Sequence, residues 1–191
     1  MASPPRPLRL VPPGPEDAAL LRQADGPAAF LDLYRRHRAA LLAFLTRYLR
    51  DATLAEDVLQ ETFVRVHANL DAAPPCSFRA WVHRVARNVA NDALRRESKQ
   101  ERLATSPAAP SPAEAPGPDA EAASREATSR ARAALATLPD EERALLLQRH
   151  ASGLTLDELA AAWDCTERTI RNRLERASQA LAHAIVKGGR P

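Results

Sequence analysis

TLDELAAAWDCTERTIRNRLERASQAL, Thr155 to Leu181, is the stretch whose reading decides the fold. Thr155 and Glu158 stand three residues apart ahead of an apolar run. At that spacing a threonine hydroxyl and a glutamate carboxylate cap a helix reciprocally. The pattern predicts a helix of about nine residues, a break at Asp164-Cys165, and a second helix from Thr166. Asp164 occupies the turn, and Asp enters the left-handed backbone region more readily than most residues. Leu156, Leu159, Ala160, Trp163, Ile170 and Leu174 fall where the two helices would face each other. Ala160 permits close approach. Helix, tight turn, longer helix is the plan of a helix-turn-helix, whose second helix enters the DNA major groove.

With Ile170, Leu174, Ala177 and Leu181 turned inward, Arg168, Arg171, Asn172, Glu175, Arg176 and Gln179 face outward. Arg matches guanine edges, Asn matches adenine, and Glu can accept from cytosine. Taken alone, the stretch also fits a solvated helix with ion pairs such as Arg171–Glu175. The rest of the chain has to separate the two.

Upstream, spacings of three, four and seven put Phe30, Leu33, Tyr34, Leu41, Phe44, Leu45 and Tyr48 on one stripe. They predict a long helix from Pro27 to about Arg50. A capping box of Thr53 and Glu56 would open a second helix over about 53–70, buried through Val58, Leu59, Phe63 and Val66. Ser77 would cap a third, reaching about Glu97, with Phe78, Trp81, Val82, Val85, Val89 and Leu94 inside. Before these, residues 1–15 are Pro-rich and read as a disordered tail, and a short helix is expected from Pro15 to about Asp25. After them, SPAAPSPAEAPGPD, Ser106 to Asp119, has no helical stripe and reads as an extended linker. Helical pattern returns over about 122–137. Pro139 opens another helix with Asp140, Glu141 and Glu142 in its first turn, which suits the helix dipole, and Gly153 ends it. The expected class is all-α: two small helical domains, an N-terminal bundle and a C-terminal helix-turn-helix domain, joined by a Pro/Ala-rich linker.

The composition of the 191 residues agrees, with 45% hydrophobic and only 4% aromatic residues. A formal charge of +3 is too small to argue for nucleic acid, so the placement of the arginines carries that case. Cys76 and Cys165 belong to no metal-binding cluster, and the five histidines are scattered. No phosphate loop, zinc-protease motif or nucleophile elbow occurs. Neither a signal peptide nor a membrane-length apolar run is present, so a soluble, cytoplasmic chain without membrane insertion is expected.

LAEDVLQETFVRV, FRAWVHRVARNVANDALRR, LPDEERALLLQRHASGLTLDELAAAW and TERTIRNRLERASQAL resemble, in this order, successive signatures of the bacterial extracytoplasmic-function (ECF, group IV) sigma factors. The resemblance covers roughly residues 27–97 and 122–186. It implies a transcription initiation subunit with no catalytic residue, metal or cofactor of its own. Such a protein binds core RNA polymerase through the β′ clamp helices and the β subunit. It directs the enzyme to promoter DNA, helps open the duplex, and usually answers to an anti-sigma factor. The implied division is a tail (1–15), domain 2 (16–97), a linker (98–121), domain 4 (122–186) and a tail (187–191).

By the same resemblance, Asp57, Gln60, Glu61 and Phe63 match the polymerase-docking stretch, with Phe63 mainly a core residue. Asn88, Asn91, Asp92, Arg95 and Arg96 match the part that approaches the -10 element. The loop Asn69–Ser77 matches the one that captures an unstacked base. Arg168, Arg171, Asn172, Arg173 and Arg176 match the -35 helix, where Arg168 and Arg173 are expected on phosphate. This chain departs from the family at three points. Asp164 replaces the usual glycine, Asn91-Asp92 interrupts the basic surface, and the linker is unusually Pro-rich.

Overall fold

The computed structural model describes residues 27–70, 77–103 and 122–188. Among them lie seven α-helices and one π-helical turn, without a strand. None of these helices is long and apolar enough to cross a membrane. The short helix expected from Pro15 and most of the loop between Asn69 and Ser77 lie outside the described residues.

The N-terminal module comprises α1 (Pro27–Leu49), α2 (Ala52–Ala68) and α3 (Phe78–Leu103). Leu33, Leu41, Phe44, Leu45 and Tyr48 of α1 are fully buried, as their spacing predicts. They meet Val58, Leu59, Phe63 and Val66 of α2 and Phe78, Trp81, Val82 and Val89 of α3. Buried Ala55, Ala80, Ala86 and Ala90 leave room for the large side chains between helices. Phe63 meets Tyr34 edge-on at 4.7 Å. Full burial of a side chain such as Phe44 contributes about 1.5–3 kcal/mol.

The junction between α1 and α2 differs from expectation. Arg50 adopts a left-handed φ of 62°, which turns the chain sharply out of α1. Asp51 follows in extended conformation, and its carboxylate accepts from the Leu54 backbone N–H at 2.9 Å. Asp51 therefore caps α2, and Thr53 lies inside the first turn instead of capping it with Glu56. At the other end of the module, α3 continues to Leu103, past the expected end near Glu97.

The C-terminal module comprises α4 (Ala122–Thr137), α5 (Asp140–Leu146), α6 (Leu156–Ala162) and α7 (Glu167–Gly188). Leu145, Leu154, Leu159, Ala160 and Ile170 form its centre. Leu138, Leu146 and Ala177 tie the α4–α5 corner to α7. A π-helical turn, Leu147–Ala151, prolongs α5. Ser152 N–H donates to the Leu147 carbonyl at 3.0 Å, and Leu154 N–H donates to the Gln148 carbonyl at 3.0 Å. Such turns are rare and often sit at functional places.

This one buries Gln148 completely. The Gln148 amide donates to the His83 carbonyl of α3 at 3.3 Å and accepts from the Trp163 indole N–H at 2.7 Å. Ala144, Leu147, Ala161 and Ala162 join the N-terminal core. The two modules, separate in the sequence pattern, thus share one apolar interior.

Two outcomes follow for stability. Asp51→Ala should cost about 1 kcal/mol in urea denaturation, the usual worth of a helix cap, while Thr53→Ala stays within a few tenths. The second concerns His83, whose imidazole burial pushes down to about 3, helped by Arg79 and His37. In the unfolded chain it titrates near 6.5, so the unfolded state binds the proton first. Its contribution is complete above that pH and is lost as pH falls toward 3. Urea midpoints should decline from pH 7 to pH 4, and less steeply in His83→Gln.

Candidate nucleic-acid interface and docking face

The capping box predicted for α6 is present. Glu158 N–H donates to Thr155 Oγ1 at 3.2 Å, and Thr155 N–H donates to Glu158 Oε2 at 2.9 Å. Asp164 takes a left-handed φ of 51°, and Cys165 N–H closes the turn on the Ala160 carbonyl at 3.0 Å. Asp fills the role that glycine often has in such turns. Thr166 then starts α7, accepting from Thr169 N–H at 3.2 Å. Both local patterns that announced a helix-turn-helix exist as hydrogen bonds.

On α7, Ile170 and Ala177 are buried, whereas Arg168, Arg171, Asn172, Arg173, Glu175, Arg176 and Gln179 are exposed. This arrangement presents a continuous row of cationic and amide groups. Arg171 pairs with Glu167 at 3.5 Å, one turn before it, and not with Glu175. The Arg171 side chain is 65% exposed, so that pair contributes little and can exchange for a stronger anion. Arg173 reaches back, its guanidinium 5.9 Å from the Trp163 ring centre.

The α3 face is less uniform. Asn88, Arg95 and Arg96 are exposed. Asn91 is half-buried, and its carbonyl oxygen accepts from the Tyr48 hydroxyl at 2.5 Å. Burial raises the Tyr48 pKa to about 12, so this phenol donates as a neutral group at physiological pH. Asp92 pairs with Arg95 at 3.5 Å and with Arg65 of α2 at 3.8 Å. The interruption of the basic surface thus has structural partners: Asn91 ties α3 to α1, and Asp92 ties it to α2.

On α2, Asp57, Gln60 and Glu61 are exposed, and Phe63 is 4% exposed within the core. Glu61 pairs with Arg65 at 2.7 Å. Val64 is 63% exposed, three residues beyond Glu61 and four beyond Gln60. Sequence reasoning passed over it, although it falls off the stripe made by Val58, Leu59, Phe63 and Val66. An acidic helix face with an apolar residue in its midst suits a basic helical partner.

Arg79, Ser77 and Arg87 have partners far along the chain, which no local pattern announces. Arg79, in the first turn of α3, meets Glu158 at 3.4 Å and donates to the Ser152 carbonyl. Ser77 Oγ donates to the other oxygen of Glu158 at 3.2 Å. Arg87 lies 3.9 Å over the Trp163 ring and donates to the Ala162 carbonyl at 3.2 Å. A cleft of about 570 Å³ is lined by Asn91, Leu94, Arg95, Ser98 and Lys99 of α3 and by Asp140 and Glu141 of α5.

Comparison with known proteins matches these two modules separately. Residues 33–100 match Sigma-70 region 2, and residues 128–181 match Sigma-70, region 4. The ECF RNA polymerase sigma factor SigE of Mycolicibacterium smegmatis is 30% identical over 158 residues, 82% of this chain and 61% of that protein. The ECF RNA polymerase sigma factor SigL of Mycobacterium tuberculosis is 34% identical over 153 residues, 78% of this chain and 84% of that protein. The fold resembles that of the sigma factor RpoE from Bartonella quintana, solved in complex with the anti-sigma factor NepR. Its TM-score is 0.64 at 22% identity, covering 83% of this chain and 99% of that one.

Proposed function

The chain belongs to the ECF RNA polymerase sigma factors, and from that membership we propose how its faces divide the work of starting transcription. It associates with core RNA polymerase and brings it to a two-part promoter. Bond-forming chemistry stays with the polymerase. The observation that carries this function is the exposed row Arg168, Arg171, Asn172 and Arg176 on a helix whose preceding cap and turn are those of a helix-turn-helix. An isolated helical adaptor has no need of that construction. A self-sufficient operator-binding dimer would leave the acidic α2 face without a task.

Arg171 and Arg176, with Asn172 between them, read -35 base edges in the major groove, where bidentate contacts discriminate bases. Arg168 and Arg173 hold phosphate, which positions the helix without specifying sequence. Asn88, Arg95 and Arg96 contact the -10 region, while Asn91 and Asp92 keep that face in place through Tyr48 and Arg65. Asp57, Gln60 and Glu61, with Val64 among them, dock on the β′ clamp helices, and the C-terminal module meets the β subunit. Residues 16–97 and 122–186 act as the two working domains, with 98–121 as the connection between them. An anti-sigma factor controls access to these faces, as the complex of the similar RpoE with NepR suggests.

Run-off transcription on the protein's own promoter region tests the whole. Core polymerase should initiate there specifically only when this chain is added. Absence of promoter-specific product sinks the proposal. Arg171→Ala should weaken binding of the polymerase complex to the cognate -35 sequence by about 1–3 kcal/mol. An equal loss on scrambled DNA would mark a phosphate contact. Asp57→Lys/Glu61→Lys should reduce affinity for core polymerase in a fluorescence anisotropy titration while leaving helix content intact.

A further inference from the structure

The contacts between the two modules have a chemistry of their own. Glu158 is the capping residue of the first helix of the helix-turn-helix, and its carboxylate is shared with Ser77 and Arg79 of the other module. Arg87 rests on the indole of Trp163, at the turn of the helix-turn-helix, and on the last carbonyl of α6. Gln148 joins the His83 carbonyl to the same indole. Trp163 also lies within 5.9 Å of Arg173 on the reading helix. One indole therefore touches both the basic helix α3 and the reading helix α7.

That arrangement cannot span a promoter. Two elements one and a half to two helical turns apart are separated by about 60 Å, at ~3.4 Å per base pair. Side chains gathered on one tryptophan cannot serve both ends. The chain between Leu103 and Ala122 contains 18 residues, enough to reach about 60 Å when fully extended. Separation is thus open to the protein, but only after the shared interior has come apart.

The contacts are also well suited to release. Arg87 Nη1 is buried without a hydrogen-bond partner. Among the described residues its direct contacts are a carbonyl and a ring face, with Glu141 acting on its charge only from a distance. Burial, and then Arg84, lower its pKa to about 10, so it remains a cation at neutral pH. A phosphate or carboxylate offered to Arg87 would satisfy it better than the closed state does. The Arg79–Glu158 pair keeps the Arg79 side chain 32% exposed, within reach of water and competing charges.

We propose that the free chain is autoinhibited by this interface. Arg79, Arg87, Gln148, Glu158 and Trp163 latch the helix-turn-helix module onto α3, and productive engagement of polymerase and promoter requires the latch to open. The closed state is a property of the chain alone. Its consequence for transcription rests on the sigma-factor function proposed above. A closed population lowers apparent affinity by the fraction of molecules that are open.

The test uses the full chain with donor and acceptor dyes on Ala40→Cys and Gln179→Cys, in a Cys76→Ser/Cys165→Ser background. Both labelled positions are exposed, one in each module. The otherwise unaltered protein should show high energy transfer. Arg79→Glu, which sets a second carboxylate against Glu158, should lower it, and so should Arg79→Ala/Arg87→Ala. Circular dichroism should show undiminished helix content in both. Core polymerase should lower transfer in the unaltered protein as well. Arg79→Glu should bind core polymerase about three- to tenfold more tightly than the parent. Low transfer in the parent, or transfer that neither variant changes, overturns the latch. Equal polymerase affinity for parent and opened variant overturns autoinhibition. Loss of polymerase binding in parent and variant alike, with the change in transfer intact, overturns the sigma-factor function and its regulation together while the closed state stands.

Discussion

The structure turns on the side chain of Trp163. Its ring packs with both the large N-terminal core and the small core of the helix-turn-helix. Its N–H is satisfied by Gln148, and its face carries Arg87. The indole N–H is part-buried and needs an acceptor, and the fully buried Gln148 supplies it, which spares the cost of an unsatisfied donor. The π-helical turn meets that need. The extra residue in the turn carries Gln148 into the interface and leaves the α5 backbone bonded. One side chain therefore couples the shape of α5, the turn before the reading helix and the docking of the two modules.

Much of this fold was legible in the sequence because much of it is local. The stripes of α1, α2 and α3 appear in the core as their spacing predicts. The Thr155–Glu158 box and the left-handed Asp164 are properties of a few consecutive residues, and the backbone realises both. The cap of α2 shows where such reasoning slips. Thr53 and Glu56 have the right spacing, but Arg50 turns left-handed and puts Asp51 at the cap position first. Two overlapping cap patterns competed there, and the backbone at the preceding residue decided between them.

The candidate site was legible to an uneven degree. Exposure of Arg168, Arg171, Asn172 and Arg176 follows from burying Ile170 and Ala177, since one face of a helix dictates the other. Asn91 and Asp92 match the part that approaches the -10 element and interrupt its basic surface; Tyr48 and Arg65, which hold them, come from other helices. Val64 could have been noticed as the apolar residue off its stripe. Arg79 and Arg87 carry no local mark of their role, because their carboxylate, carbonyl and indole partners stand more than seventy residues away.

The sequence by itself determined which segments are helices, which face of each is apolar, and the cap-and-turn construction that makes α6 and α7 a helix-turn-helix. Hydrophobic period and capping chemistry act over one or two turns, so they leave a readable trace. Only the tertiary structure decided how the modules meet. That choice depends on Gln148, Glu158 and Trp163 finding His83, Arg79 and Arg87 across a long stretch of chain. Such pairings have no period and no fixed spacing. They exist because buried donors, acceptors and charges must be answered once the two apolar surfaces close on each other.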